Sequence, residues 1–115
     1  MRRIDFTSTA RRDIAAALRT SRRQFGDAAV SRYSALLKQA YADVGADPER
    51  AGVRTWRDDL NLYHMRHSRM SIPAEVRVHA PRHMLVFQFD AHQVLIVRVL
   101  HDAMDIAEHI EAGGE

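Results

Sequence analysis

Histidine and arginine are the side chains of this sequence best suited to chemistry. His64 and His67, in Tyr63-His64-Met65-Arg66-His67-Ser68-Arg69, stand three residues apart. On a helix that spacing places two imidazoles on one face, whereas on a strand it places them on opposite faces. The segment reads as a strand, so the pair is not expected to share a metal ion. His79 and His83 flank Pro81 and meet the same objection of irregular geometry. Ser68, the histidines and Asp102 are the residue types of a nucleophilic triad, but their spacing does nothing to assemble one. There is no HExxH, no glycine-rich phosphate loop and no nucleophile elbow. The more interesting set is Arg66, Arg69, Arg82, Arg98 and His101, all on or beside predicted strands. Guanidinium groups on neighbouring strands can converge on a phosphate, and a histidine beside them can move a proton near neutral pH. Regular alternation, however, puts Arg98 with Val94, Ile96 and Leu100, on the face opposite Val97, Val99 and His101. The plainer alternative is that arginines at strand edges pair with carboxylates of the C-terminal tail.

The elements that must hold these residues follow from periodicity. Arg2 to Phe6 reads as a short strand, and Thr7, Ser8 and Thr9 offer N-cap hydroxyls for the helix that follows. Ala10, Ile14, Ala17, Leu18, Ser21 and Phe25 form its apolar stripe, leaving Arg11, Arg12 and Arg19 largely outside it. Gly26 suits the end of this helix and Asp27 the cap of the next, where Val30, Tyr33, Leu37, Ala40, Tyr41 and Val44 keep the 3.6-residue period. Two amphipathic helices joined so tightly lie antiparallel. Residues 46–59 read as connection. Leu60 to Ser68 reads as a strand, Arg69 to Pro81 as irregular, and Arg82 to Phe89 and Gln93 to Leu100 as strands joined by a turn at Asp90-Ala91-His92. Met104, Ile106, Ala107 and Ile110 suggest a short C-terminal helix. Leu18, Phe25, Leu37, Tyr41, Leu85, Phe87, Val97 and Val99 are expected in the core. Trp56, in the first connection, is either a lid over the hairpin or an anchor for a partner. The expectation is an α+β domain over residues 1–115: an N-terminal strand, an antiparallel helical hairpin packed on a small antiparallel sheet, and a short final helix.

Composition narrows the classes further. The chain has 115 residues, 46% hydrophobic and 28% charged, and no cysteine. One globular domain fits that length, while disulfide scaffolds, thiol catalysis and cysteine–zinc modules are excluded. The apolar runs are far short of the ~20 residues of a membrane-spanning helix, and the N-terminus lacks the apolar stretch of a secretory signal. A cytoplasmic setting without metal or cofactor is expected. Of the 17 basic residues only Lys38 is lysine. Seven arginines fall within residues 1–24 against Asp5 and Asp13, while the tail carries Asp102, Asp105, Glu108, Glu111 and Glu115 without a lysine or arginine after Arg98. Such polarity suits an acidic partner or nucleic acid.

Three segments together resemble the ParE toxins of the RelE/ParE superfamily of plasmid-stabilisation and toxin–antitoxin systems. They are the Tyr63–Arg69 motif, Pro81-Arg82-His83-Met84-Leu85-Val86-Phe87, and the ending Arg98-Val99-Leu100-His101-Asp102-Ala103-Met104-Asp105. In the superfamily's ribonucleases a histidine matching His101 is followed by a tyrosine, where this chain has Asp102. An arginine on their middle strand falls on Met84, and no tyrosine follows Tyr63. The resemblance therefore implies a ParE-like toxin that inhibits DNA gyrase without a catalytic residue of its own. Its partner would be a ParD-like ribbon-helix-helix antitoxin, through which alone operator DNA is bound. Arg11, Arg12, Arg19, Trp56, Arg66, Arg69, Arg82, Arg98 and His101 are the candidates for contacting the antitoxin or the target. The alternatives are a ribosome-dependent messenger-RNA endoribonuclease of RelE type, and a non-toxic homologue that only binds antitoxins.

Overall fold

The computed structural model describes residues 1–104. Its elements are β1 (Arg3–Phe6), α1 (Ser8–Phe25), α2 (Asp27–Ala46), β2 (Arg54–Thr55), β3 (Asn61–His64), β4 (His83–Phe89) and β5 (Gln93–His101), with 3-10 turns at Met65–Ser71 and Ala74–Val76. This is the α+β arrangement expected, and the chemistry of its joints explains it. Thr7 caps α1 through a hydrogen bond from the Ala10 N–H to its Oγ1. Gly26, at φ 88°, separates the two helices. The cap of α2 differs from expectation: Gly26 occupies the N-cap position with no side-chain bond, and Asp27 instead pairs with Arg22 across the joint.

The five strands run in the order β1-β5-β4-β3-β2. Three neighbouring pairs are antiparallel, but β1 lies parallel to β5, with Ile4 beside Val94 and Phe6 beside Ile96. The sheet is therefore mixed. It also gains a strand inside the supposed connection: Arg54 and Thr55 pair with Leu62 and Asn61. Asp58 and Asp59, both at positive φ, turn the chain between them, and Trp56 donates its N–H to the Leu60 carbonyl at 2.8 Å. The strand expected over Leu60–Ser68 is only four residues long. His64 stops it by accepting the Arg66 N–H on Nδ1 at 3.1 Å, which starts the 3-10 turn.

Both helices cover one face of the sheet. Leu37, Ala40 and Val44 from α2 and Ala10 from α1 meet Tyr63, Leu85, Phe87, Val94, Ile96 and Val99 there, all buried. A second apolar cluster occupies the opposite face: Leu60, Leu62, Met84, Val86, Val97 and Leu100, with Trp56 and Leu95 packed against it. Trp56 thus lies away from the helical hairpin and is no lid over it. Phe25, expected in the core, is 73% exposed because α1 carries it past the end of the packed surface. No helix among the described residues is long and apolar enough to cross a membrane. The expected C-terminal helix lies outside the described residues.

Candidate functional site

The last residues of β3, the first of β4 and the last of β5 come together at one end of the sheet. His64 stands opposite Met84, and His83 opposite His101. Paired residues share a face, so His83 and His101 lie on the helix side with Leu85, while His64 lies with Leu62 and Met84 on the other. The three imidazoles consequently form two groups separated by the sheet.

On the helix side, His83 meets α2. Tyr33 hydrogen-bonds His83 Nδ1 through its hydroxyl, which also accepts the Arg82 N–H at 3.3 Å. The rings of Tyr33 and His83 meet edge to face at 5.5 Å, and those of His83 and His101 at 5.4 Å. Burial, helped by the neighbouring His101, lowers the His83 pKa to about 4. Tyr33 is shifted up, again mainly by burial. His101 Nδ1 accepts the Ala103 N–H at 3.1 Å. These rings wall a cleft of about 500 Å³ between the hairpin and the start of β4. Phe25, Ala29 and Val78 supply apolar lining, and Arg32 and Arg82 supply its basic edge.

On the other side, Asp102 is the organising group. It accepts from His64 Nε2 at 2.9 Å and from Arg82 Nε and Nη2 at 3.0 Å. The His64 hydrogen bond, followed by that of Arg82, lowers its pKa despite some desolvation. The Asp102 N–H also donates to the Arg82 carbonyl at 2.8 Å, so the carboxylate is held at both backbone and side chain. With Nδ1 of His64 accepting from Arg66, its proton resides on Nε2 and points at Asp102.

The other predicted residues do not join this cluster. Arg98 is held by Asp13 of α1 at 2.8 and 3.1 Å, while the expected pairing of a strand-edge arginine with a tail carboxylate is made by Arg82 and Asp102. A bulge makes this possible: Val86 pairs with Arg98 and Phe87 with Ile96, leaving Val97 as an extra residue. The alternation expected along β5 therefore breaks. Val99 buries with Val94 and Ile96 beneath the helices, and Leu100 buries with Val97 on the far face. Arg69 donates Nε to the Val78 carbonyl at 2.6 Å. Arg66 is exposed in the 3-10 turn. Arg11, Arg12 and Arg19 line the exposed side of α1, Arg11 lying over the Phe6 ring at 5.3 Å. His67, exposed in the 3-10 turn, does not join His64 as a ligand pair, and no group of three or more metal-binding side chains occurs among the described residues. Ser68 is fully buried, donating to Asp43 at 2.6 Å and bonded to the Tyr63 hydroxyl at 2.7 Å.

Tyr33 and His83 were not among the predicted contact residues. Tyr33 read as part of the apolar stripe of α2, and His83, although inside the strand expected over Arg82–Phe89, only as a metal-ligand candidate with His79 across Pro81. The one available signal for either was a histidine opening an otherwise apolar strand.

A family model for the ParE toxin of the type II toxin–antitoxin system parDE matches residues 4–106. Among solved structures, the chain is similar to one in the crystal structure of the E. coli DinJ-YafQ toxin–antitoxin complex. That likeness has a TM-score of 0.50 at 12% identity and covers 89% of this chain and 93% of the other, so it bears on the fold alone. A search of curated proteins found no match.

Proposed function

Because the chain belongs to the ParE toxin family of type II toxin–antitoxin systems, we propose that it stops growth by binding DNA gyrase, not by cutting RNA, until a ParD-like antitoxin neutralises it. The observation that carries this reading is the state of its arginines. A phosphodiester-cleaving site needs cations aimed at the developing charge, together with an acid and a base. Here Arg82 is committed to Asp102 and Arg98 to Asp13, each through a carboxylate at hydrogen-bond distance. His83 is kept unprotonated by burial, with one nitrogen already bonded to Tyr33. His64 faces away from the other two histidines. Surfaces remain: the arginine-lined side of α1, and the apolar cleft beneath Phe25 with Arg32 at its edge. An amphipathic acidic arm from a ribbon-helix-helix antitoxin suits that cleft, with apolar burial supplying affinity and the arginines orienting the arm. Operator DNA would be held by the antitoxin half of the complex.

The test is a supercoiling assay with purified gyrase and the antitoxin-free chain. Dose-dependent loss of supercoiling, relieved by the antitoxin, is the expected result. Normal supercoiling at saturating protein while expression still arrests growth would remove gyrase as the target.

One observation favours a second reading, a RelE-type endoribonuclease: His83 and His101 adjoin one another in the same cleft. In that case His101→Ala would lower the cleavage rate on the order of 10²-fold, the usual loss for one acid–base group. New codon-phased transcript ends on induction, absent in that variant, would establish it. The gyrase reading expects no such ends.

A further inference from the structure

The outer side of α1 carries charge of one sign. A helix turns about 100° per residue, which sorts its five arginines into two rows. Arg11 and Arg22 make one row; Arg12, Arg19 and Arg23 make the other, about 90° further round. All five are exposed, and so are the small residues of the same sector, Ser8, Ala15 and Ala16. Asp13, the one acidic residue of α1, is turned the other way, onto Arg98 and the Val99 N–H. Asp27, at the start of α2, pairs with Arg22, and Arg12 bonds the Thr9 hydroxyl at 3.3 Å. Arg19 and Arg23 make no ion pair among the described residues.

We propose that this face binds the phosphate backbone of duplex DNA, with α1 in the major groove and one row of arginines against each wall. Charge complementarity selects a polyanion, and the rest of the sector selects among polyanions. An amphipathic acidic arm gains affinity by burying apolar side chains, but nothing apolar here is larger than alanine. That occupant suits the cleft beneath Phe25 instead. Single-stranded nucleic acid is held by stacking its bases on aromatic rings, and the sector has none. The major groove of duplex RNA is too deep and narrow for side chains to read, whereas that of B-form DNA, about 12 Å wide, admits a helix. From Arg11 to Arg22 the row runs about 17 Å along the axis, and one strand carries a phosphate every ~3.4 Å. Each row therefore faces about five phosphates, with Ala15 and Ala16 leaving room for close approach. Phosphate contacts position a protein without reading sequence, so the binding is indifferent to sequence and operator choice stays with the antitoxin. The proposal does not rest on gyrase as the target.

The test is fluorescence anisotropy with the full chain and a labelled DNA duplex of random sequence, over a range of salt concentrations. The expected slope of log affinity against log salt is about −4, since each neutralised phosphate contributes about −0.9. Arg19→Gln/Arg23→Gln should weaken binding about tenfold or more and make the slope shallower by about 2. Lys38→Gln/Arg54→Gln removes the same charge from exposed positions outside α1 and should leave the slope unchanged. All four substitutions are at exposed side chains, and a circular dichroism spectrum matching the parent's checks that each variant is folded. The proposal is overturned if the parent chain does not bind the duplex at low ionic strength. It is overturned if both double variants lower the slope equally, which would leave net charge as the whole cause. It is overturned too if duplex RNA or single-stranded DNA of the same length binds as tightly, or if poly-glutamate of equal charge does, which would make an acidic protein the occupant.

Discussion

Asp13 on α1 and Arg98 on β5 form an ion pair with two hydrogen bonds, of 2.8 and 3.1 Å, across the helix–sheet interface. The side chains are only 16% and 11% exposed, and the same carboxylate accepts the Val99 N–H at 3.0 Å. It thus fastens α1 to β5 just beyond the bulge at Val97. Removing one partner of a buried pair costs far more than the pair itself contributes. Asp13→Ala should therefore lower stability by about 3 kcal/mol or more. Replacing both partners, as Asp13→Leu/Arg98→Met, should cost clearly less than Asp13→Ala alone. Urea unfolding checks both, read as a shift in midpoint at unchanged slope.

His83 makes stability depend on pH. Its folded pKa, about 4, lies below the ordinary value of 6.5, so between those values the unfolded chain holds a proton that the folded chain does not. Stability is then full above pH 6.5, falls as the pH drops toward 4, and stops falling on this account below that. The shift corresponds to a loss on the order of 3 kcal/mol. His67 is also shifted down, by partial desolvation and then by the neighbouring Arg66, and adds in the same direction. The lowered Asp102 acts only at lower pH, as the solution falls through its folded pKa and His64 and Arg82 lose their carboxylate. Thermal melts from pH 7 to 4 should show a steady fall in midpoint. In His83→Gln that fall should be mostly gone.

The helices were legible because their signals are local. Ala10, Ile14 and Leu18 repeat at helical spacing in α1, as Leu37, Ala40 and Val44 do in α2, and Thr7 is a hydroxyl beside the first turn. Phe25 keeps the same spacing yet lies exposed, because periodicity records a helix face and not where the surface beneath it ends. In β5 the residues are apolar on both faces, so nothing in the pattern marks the bulge that exchanges the faces of Val99 and Leu100. The parallel pairing of β1 with β5 joins segments about 90 residues apart and leaves no trace in either alone. The same holds for the cluster at the sheet end. Asp102 meets His64 from 38 residues away and Arg82 from 20, and only the β3–β4–β5 register brings them together.

Two glycines at positive φ should respond differently to substitution. A Cβ on Gly52, at φ 99°, would lie 2.7 Å from Cγ of His67, whereas one on Gly26, at φ 88°, would meet nothing within 4 Å. Gly26→Ala then carries only the backbone penalty, about 1–3 kcal/mol. Gly52→Ala adds a clash with an imidazole and should cost more, unless His67 swings away. The double variant Gly52→Ala/His67→Ala separates the two contributions. It should recover the part of the loss due to the imidazole clash but not the backbone cost of the positive φ, as measured by chemical denaturation.

Ser68 bears on whether this fold hides a nucleophile. Its hydroxyl donates to Asp43, whose carboxylate also pairs with Arg50 at 2.8 Å, and it accepts from Tyr63. Among the described residues no histidine hydrogen-bonds it, and it is fully buried. The group therefore ties the 3-10 turn after β3 to α2, and Tyr63, shifted up chiefly by burial, has its proton engaged there. Ser68→Ala would leave a buried phenol and carboxylate each short of one partner, at a cost of about 1–3 kcal/mol. Under conditions where the variant remains folded, growth arrest should match that of the parent chain at equal soluble protein. Arrest abolished in a fully folded Ser68→Ala protein would mean that the hydroxyl does more than hold the turn.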